Sequence, residues 1–177
     1  MKKQFTISVF TEDRIGLLNR VSIIFTRRHI NIESITASES EVPNVHRYTI
    51  VISEEESLAK KVVKQLDKQV EIIRAFLHTN DEVVFQELAL YKVPTHILAL
   101  GGEAERLVRN HNARVLSVTQ EYTIIEKTGH KEETQKLFEE LEPYGILEFV
   151  RSGRVAISKP MKQLKEYISE IEVAAAQ

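Results

Sequence analysis

The strongest constraint on the fold is a change of hydrophobic period that occurs, in one order, twice along the chain. In QFTISVFT, Phe5, Ile7 and Val9 alternate with Thr6 and Ser8, the two-residue period of a half-buried strand. Leu17, Leu18, Val21, Ile24 and Phe25 then recur at helical spacing, with Asn19, Arg20, Arg27 and Arg28 mostly off that stripe, so a helix is expected to end near His29. INIESITAS reads as a second strand. Its apolar set shifts from Ile30 and Ile32 to Ile35 and Ala37, as a bulge or an ordinary two-sided strand would require. Pro43 and Asn44 mark a turn, and Tyr48, Ile50 and Ile52 share one face of a third strand. Ser53 and Glu56 have capping-box spacing before a helix whose buried stripe is Leu58, Val62, Val63 and Leu66. VEIIRAFL closes the unit as a fourth strand.

The order β-α-β-β-α-β is the ferredoxin-like arrangement, with two helices on one sheet face. A polar stretch from His78 to Asp81 reads as a linker, after which the order recurs: VVFQELALYKV as strand, Glu103 to Asn110 as helix, ARVLSV and EYTIIEK as a hairpin, and KEETQKLFEEL as helix. GILEFVRSGRVAIS supplies the last strand, with RSGR, Arg151 to Arg154, as a solvent-facing turn. The expected fold is therefore α+β, with ferredoxin-like domains at 1–79 and 82–160. A helical tail at 161–177 follows from Pro160 and the spacing of Leu164, Ile168 and Ile171.

The residue inventory removes several chemistries. Formal net charge is −2 and the sequence pI is about 6.3, without the basic footprint of a nucleic-acid binder. Phe5 and Tyr48 are weak candidates for base stacking on such a sheet. The chain has no cysteine, hence no disulfide, thiolate nucleophile or zinc–thiolate site, and this fits a reducing cytoplasm. No apolar run reaches the roughly 20 residues needed to span a bilayer, and MKKQFTISVF lacks a signal-peptide pattern. The histidines, His29, His46, His78, His96, His111 and His130, form no metal-ligand pair and read as dispersed surface residues. Glu54 to Glu56 and Glu132-Glu133 read as helix-start carboxylates complementing the helix dipole, and neither a nucleophile elbow nor a phosphate-binding glycine loop occurs.

TEDRIGLL is more informative, because it lies where a strand gives way to a helix. First-turn N–H groups have no acceptor within the helix and suit a carboxylate, and Gly16 lacks a Cβ that would keep a ligand away. Asp13 could accept from an α-ammonium group, while Asn31 offers both a donor and an acceptor. Two readings stand side by side here: a cradle for an amino acid, or a turn in which Gly16 bends the chain and Asp13 caps the helix.

The glycine turn before LLNRVSIIFTRR, the following HINIESIT, the central LYKV and the late LEFVRSGRVAISK together resemble the small regulatory subunits of acetolactate synthase, also called acetohydroxyacid synthase. The first half resembles an ACT domain, the second the family's C-terminal domain. The resemblance implies a non-catalytic cytoplasmic chain. Its partner would be a large catalytic subunit using thiamine diphosphate, magnesium and FAD to condense pyruvate with a second 2-oxo acid in branched-chain amino-acid synthesis. It further implies activation of that subunit, feedback inhibition by valine or a related end product, and a homodimer formed through the ACT domains. Carried onto this sequence, the effector would meet Asp13, Arg14, Ile15, Gly16, Leu17 and Leu18 of one chain and Asn31 and Ile32 of the other. Asp13 stands where many family members have asparagine. Neither metal nor catalytic residues are expected in this chain. The alternatives are a stand-alone amino-acid sensor acting on another enzyme or on transcription, and an enzyme in its own right.

Overall fold

The computed structural model of the chain describes residues 1–98, 102–159, 166 and 169. These residues form two compact units, one of residues 1–84 together with the segment from Arg154, the other of residues 85–153. The expected tail helix lies outside the described residues, apart from Glu166 and Ser169.

The first unit contains β1 (Lys3–Glu12), α1 (Leu17–Thr26), β2 (Ile32–Glu39), β3 (Val45–Glu54), α2 (Glu56–Leu66) and β4 (Ile72–His78), with sheet order β2-β3-β1-β4. Every neighbouring pair in this sheet is antiparallel. Phe5, Ile7 and Val9 of β1, Tyr48, Ile50 and Ile52 of β3, and Val21, Phe25, Val62 and Leu66 of the helices make one core cluster. Each fully buried large apolar side chain contributes about 1.5 to 3 kcal/mol, so the alternation read from sequence accounts for the helix-facing side of the sheet.

The opposite face is also covered, and here the expectation of a half-buried strand fails. Thr6 and Ser8 are as buried as Ile7 between them. The reason is arginine. One guanidinium nitrogen of Arg154 donates to Thr6 Oγ1 at 2.8 Å, and an Arg47 nitrogen lies 3.4 Å from Ser8 Oγ and donates to the Ala156 carbonyl. RSGR is thus not a solvent-facing turn at its Arg154 end, where relative exposure is 3%.

The second unit repeats the plan through β5 (Val83–Pro94), α3 (Glu103–Asn110), β6 (Arg114–Val118), β7 (Tyr122–Gly129), α4 (Lys131–Leu141) and β8 (Glu148–Arg151), in sheet order β6-β7-β5-β8. Tyr91, Ile125, Leu137 and Leu141 are central to its core. GILEFVRSGRVAIS supplies two short strands, β8 and β9 (Val155–Ser158), both of which pair with β5, so this sheet has five strands.

Details below the level of topology are repeated too. The expected bulge in β2 is present between Ile32 and Ser34, and its counterpart in β6 lies between Val115 and Ser117. The turns that follow α1 and α3 each contain a residue in the left-handed region, His29 (φ 55) and Asn112 (φ 51). The following amides then reach back, Ile30 N–H to Phe25 C=O at 3.0 Å and Ala113 N–H to Val108 C=O at 2.9 Å.

The Ser53–Glu56 capping box does not form. β3 continues through Ser53 to Glu54, and Glu55 becomes the N-cap of α2 without a side-chain cap. Glu54 is therefore a strand residue, buried and paired with Lys2 Nζ at 2.9 Å, rather than a helix-start carboxylate. A capping glutamate does operate at α4, where Glu133 accepts from the His130 N–H at 2.7 Å.

Candidate functional site

The loop between β1 and α1 is shaped by one backbone conformation. Gly16 is the N-cap of α1 with φ 84 and ψ 0, a left-handed geometry in which an L-residue is strained. A Cβ placed there would meet nothing within 4 Å, so the space in front of the glycine is open. Arg20 N–H to Gly16 C=O, at 3.2 Å, is the first bond of the helix ladder.

What α1 lacks is as informative. It has no side-chain cap and no acidic residue in its first turn, whereas α2, α3 and α4 carry Glu56, Glu103 with Glu105, and Glu132 with Glu133 there. The partial positive charge at the start of α1 is thus not offset by a carboxylate of its own first turn, and of its first amides Leu17 N–H donates to Arg14 C=O at 3.4 Å. The reading of Asp13 as the helix cap is set aside by the same observation.

The structure brings Asp13 to Leu18 together at this end of the sheet. Leu17 is buried beneath the turn, while Ile15 is fully exposed and Leu18 is 46% exposed. The Asp13 carboxylate is exposed, its N–H donates to Asn44 C=O at 3.1 Å, and its Oδ1 lies 3.5 Å from His46 Nε2. Arg14 turns back to Glu12, Nε to Oε2 at 2.6 Å, so its cation does not stand in front of the helix.

Asn44 and His46 were not expected at this site. Asn44, at φ 61, forms the β2–β3 turn, which the sequence marks only as punctuation; antiparallel pairing of Thr11 with His46 carries that turn beside Asp13. The dispersed-surface reading of the histidines holds for His29, His96 and His130, while His46, His78 and His111 are half-buried. His111 pairs with Glu140 at 2.9 Å, and burial beside the Arg47 cation holds the His78 pKa below the usual histidine range. Among the described residues no group of three or more His, Asp or Glu could hold a metal ion.

Asn31 and Ile32 do not reach Gly16 within one chain. They lie beyond the far end of α1, whose ten residues span about 15 Å. Both β1 and β2 run antiparallel to β3 and hence in the same direction, so Gly16 follows the end of β1 on the side where β2 also ends. β2 is an edge strand with mostly exposed side chains. A two-fold pairing of β2 edges is antiparallel, and it would place Asn31 and Ile32 of a second copy on the side of Gly16.

Residues 7–74 match a protein-family model described as "AHAS small subunit-like ACT domain", and residues 86–160 match one described as "Small subunit of acetolactate synthase". The chain is 40% identical to an acetolactate synthase small subunit from Mycolicibacterium smegmatis over 156 residues, covering 87% of this chain and 90% of that one. It is 35% identical to the corresponding protein of Bacillus subtilis over 164 residues, 92% and 94% of the two chains. The crystal structure of an acetolactate synthase small subunit from Thermotoga maritima superposes with a TM-score of 0.81 at 27% identity, over 90% of this chain and 99% of that one.

Proposed function

The chain belongs to the acetolactate synthase small-subunit family, and from that premise we propose that it is the amino-acid-responsive regulator of a large catalytic subunit. It activates that subunit and mediates feedback inhibition by a branched-chain amino acid, with valine the first to test. The thiamine diphosphate, magnesium and FAD used in pyruvate condensation reside on the partner.

The observation that carries this reading is the uncapped start of α1 behind left-handed Gly16, in an ACT-type unit whose β2 edge is free to pair. A free amino acid presents a carboxylate to the α1 amides and an ammonium to Asp13. Leu17 and Leu18, with Ile15, border an apolar side chain. Asn31 and Ile32 of a second copy complete the site, and the same pairing satisfies the β2 edge. Regulation then follows from differential affinity: an effector bound across two copies favours one arrangement of the complex, with coupling of about 1 to 3 kcal/mol typical of allostery.

Calorimetric titration of the purified chain with valine, leucine and isoleucine, alongside sedimentation equilibrium, tests the site. A dimer that binds at least one of them supports the reading; a monomer, or a dimer that binds none, refutes it. Recovery of an unrelated enzyme or transcription factor as the specific partner from lysate, in place of the catalytic subunit, would favour a stand-alone sensor.

A further inference from the structure

The carboxylate assigned to the ligand's ammonium group is fixed at its backbone and loose at its tip. Asp13 N–H donates to Asn44 C=O at 3.1 Å, whereas the Asp13 side chain is 60% exposed. A surface carboxylate samples several rotamers, and a ligand that uses it loses affinity to the entropy of stopping it. The cations that follow Asp13 in the chain are committed elsewhere: Arg14 to Glu12 at 2.6 Å, and Arg20, the first charged side chain of α1, to Glu71.

What does reach Asp13 is an imidazole. His46 Nε2 lies 3.5 Å from Asp13 Oδ1, and only 28% of the His46 side chain is exposed. Sheet register puts it there. His46 of β3 stands opposite Thr11 of β1 on one side and Glu39 of β2 on the other, so neither neighbouring strand brings a cation in register with it. All of these residues lie in the first unit.

We propose that His46 is a positioning residue of the effector site, its imidazole orienting the Asp13 carboxylate toward the ligand's α-ammonium group. This rests on the effector reading above. A neutral imidazole carries one N–H, so with the proton on Nε2 it donates to one carboxylate oxygen and leaves the other for the ligand. The charge that attracts the ammonium is kept. An arginine at this place would occupy both oxygens as a bidentate pair and compete with the ligand for its anchor. His46 touches no effector in this arrangement and acts through Asp13.

A double-mutant cycle on the full-length chain, read by calorimetry with valine, leucine and isoleucine as probes, tests this. His46→Ala removes the imidazole, and Asp13→Asn removes the charge that it positions. A residue that acts only through Asp13 matters only while that carboxylate is present. His46→Ala should therefore weaken the tightest of the three ligands by about fivefold, the loss of one ordinary hydrogen bond. In the Asp13→Asn background the same substitution should change affinity by less than about twofold, the error of additivity. His46→Gln keeps an N–H donor and should retain most of the affinity, while His46→Arg should bind more weakly than His46→Ala.

Equal losses in the two backgrounds would make His46 a structural residue and overturn the proposal. Unchanged affinity in His46→Ala overturns it too, as does a His46→Arg variant that binds like the unaltered chain. If His46→Ala does not fold, His46→Gln and His46→Arg, each with and without Asp13→Asn, decide in its place: Arg should be the weaker only while Asp13 is present. Failure of the unaltered chain to bind any of the three amino acids overturns the effector reading first, and this proposal with it. Binding that ignores every His46 substitution overturns this proposal alone.

Discussion

Replacing Gly16 by aspartate is the most informative single substitution, because its effects on stability and on binding separate. The backbone at φ 84 costs an L-residue about 1 to 2 kcal/mol, less for Asp, which tolerates the left-handed region better than Ala. A Cβ meets nothing within 4 Å, so no clash adds to that cost. Binding changes more. A carboxylate about 4 Å from the effector carboxylate is repelled by about 1 kcal/mol in a water-like medium and by about 4 kcal/mol at an effective dielectric constant of about 20. The affinity for valine should therefore fall between roughly fivefold and nearly a thousandfold. Gly16→Ala supplies the control: it should lose at least as much thermal stability as Gly16→Asp, yet bind valine better. Calorimetry for affinity, thermal melting for stability and sedimentation for the dimer, which should persist in both variants, make the comparison. Equal affinity of Gly16→Asp and the unaltered chain would refute the reasoning and move the site elsewhere.

Asp13→Ala should weaken valine binding by roughly tenfold or more, as expected for loss of a charge-assisted hydrogen bond of about 1.5 to 3 kcal/mol, with no change in melting because the side chain is exposed. Ile35→Asp places a carboxylate beside the β2 edge where the side chain is 36% exposed; sedimentation should show monomer, and valine binding should disappear in parallel. Buried Tyr91 donates to the Thr134 carbonyl at 2.6 Å, and burial pushes its pKa up to about 12. A phenol whose folded pKa is raised contributes stability present below pH 10 and lost as pH rises toward 12, so denaturant melts should show that decline. Tyr91→Phe should remove its slope at a cost of about 1 kcal/mol at neutral pH.

Where a buried face is apolar and regular, the sequence is enough to read it. The period of Phe5, Ile7 and Val9, the stripe of Leu17, Val21, Ile24 and Phe25, and the shift at the β2 bulge all correspond to observed elements. The polar face of the first sheet was not legible, because Thr6 and Ser8 look solvated until a guanidinium from more than a hundred residues away is known to cover them. Arg154 itself resembles any surface arginine in a Gly-Ser turn; its burial depends on long-range partners that no local pattern announces. Ser53–Glu56 fitted a capping box but lost to the continuation of β3, whose ladder with β1 extends to Glu54. At the candidate site, Gly16 and Asp13 were legible from the strand-to-helix change. His46 and Asn44 were not, since cross-strand register brings them there.

Regulation of a separate catalyst in response to an amino acid can be measured on the complex itself. The most direct measurement is the rate of acetolactate formation by the purified catalytic subunit as this chain is added, followed by titration of the complex with valine, leucine and isoleucine. The rate should rise to saturation with this chain, and at least one of the amino acids should then lower it. A rate indifferent to the chain, or acetolactate formed by the chain alone, would contradict this regulation.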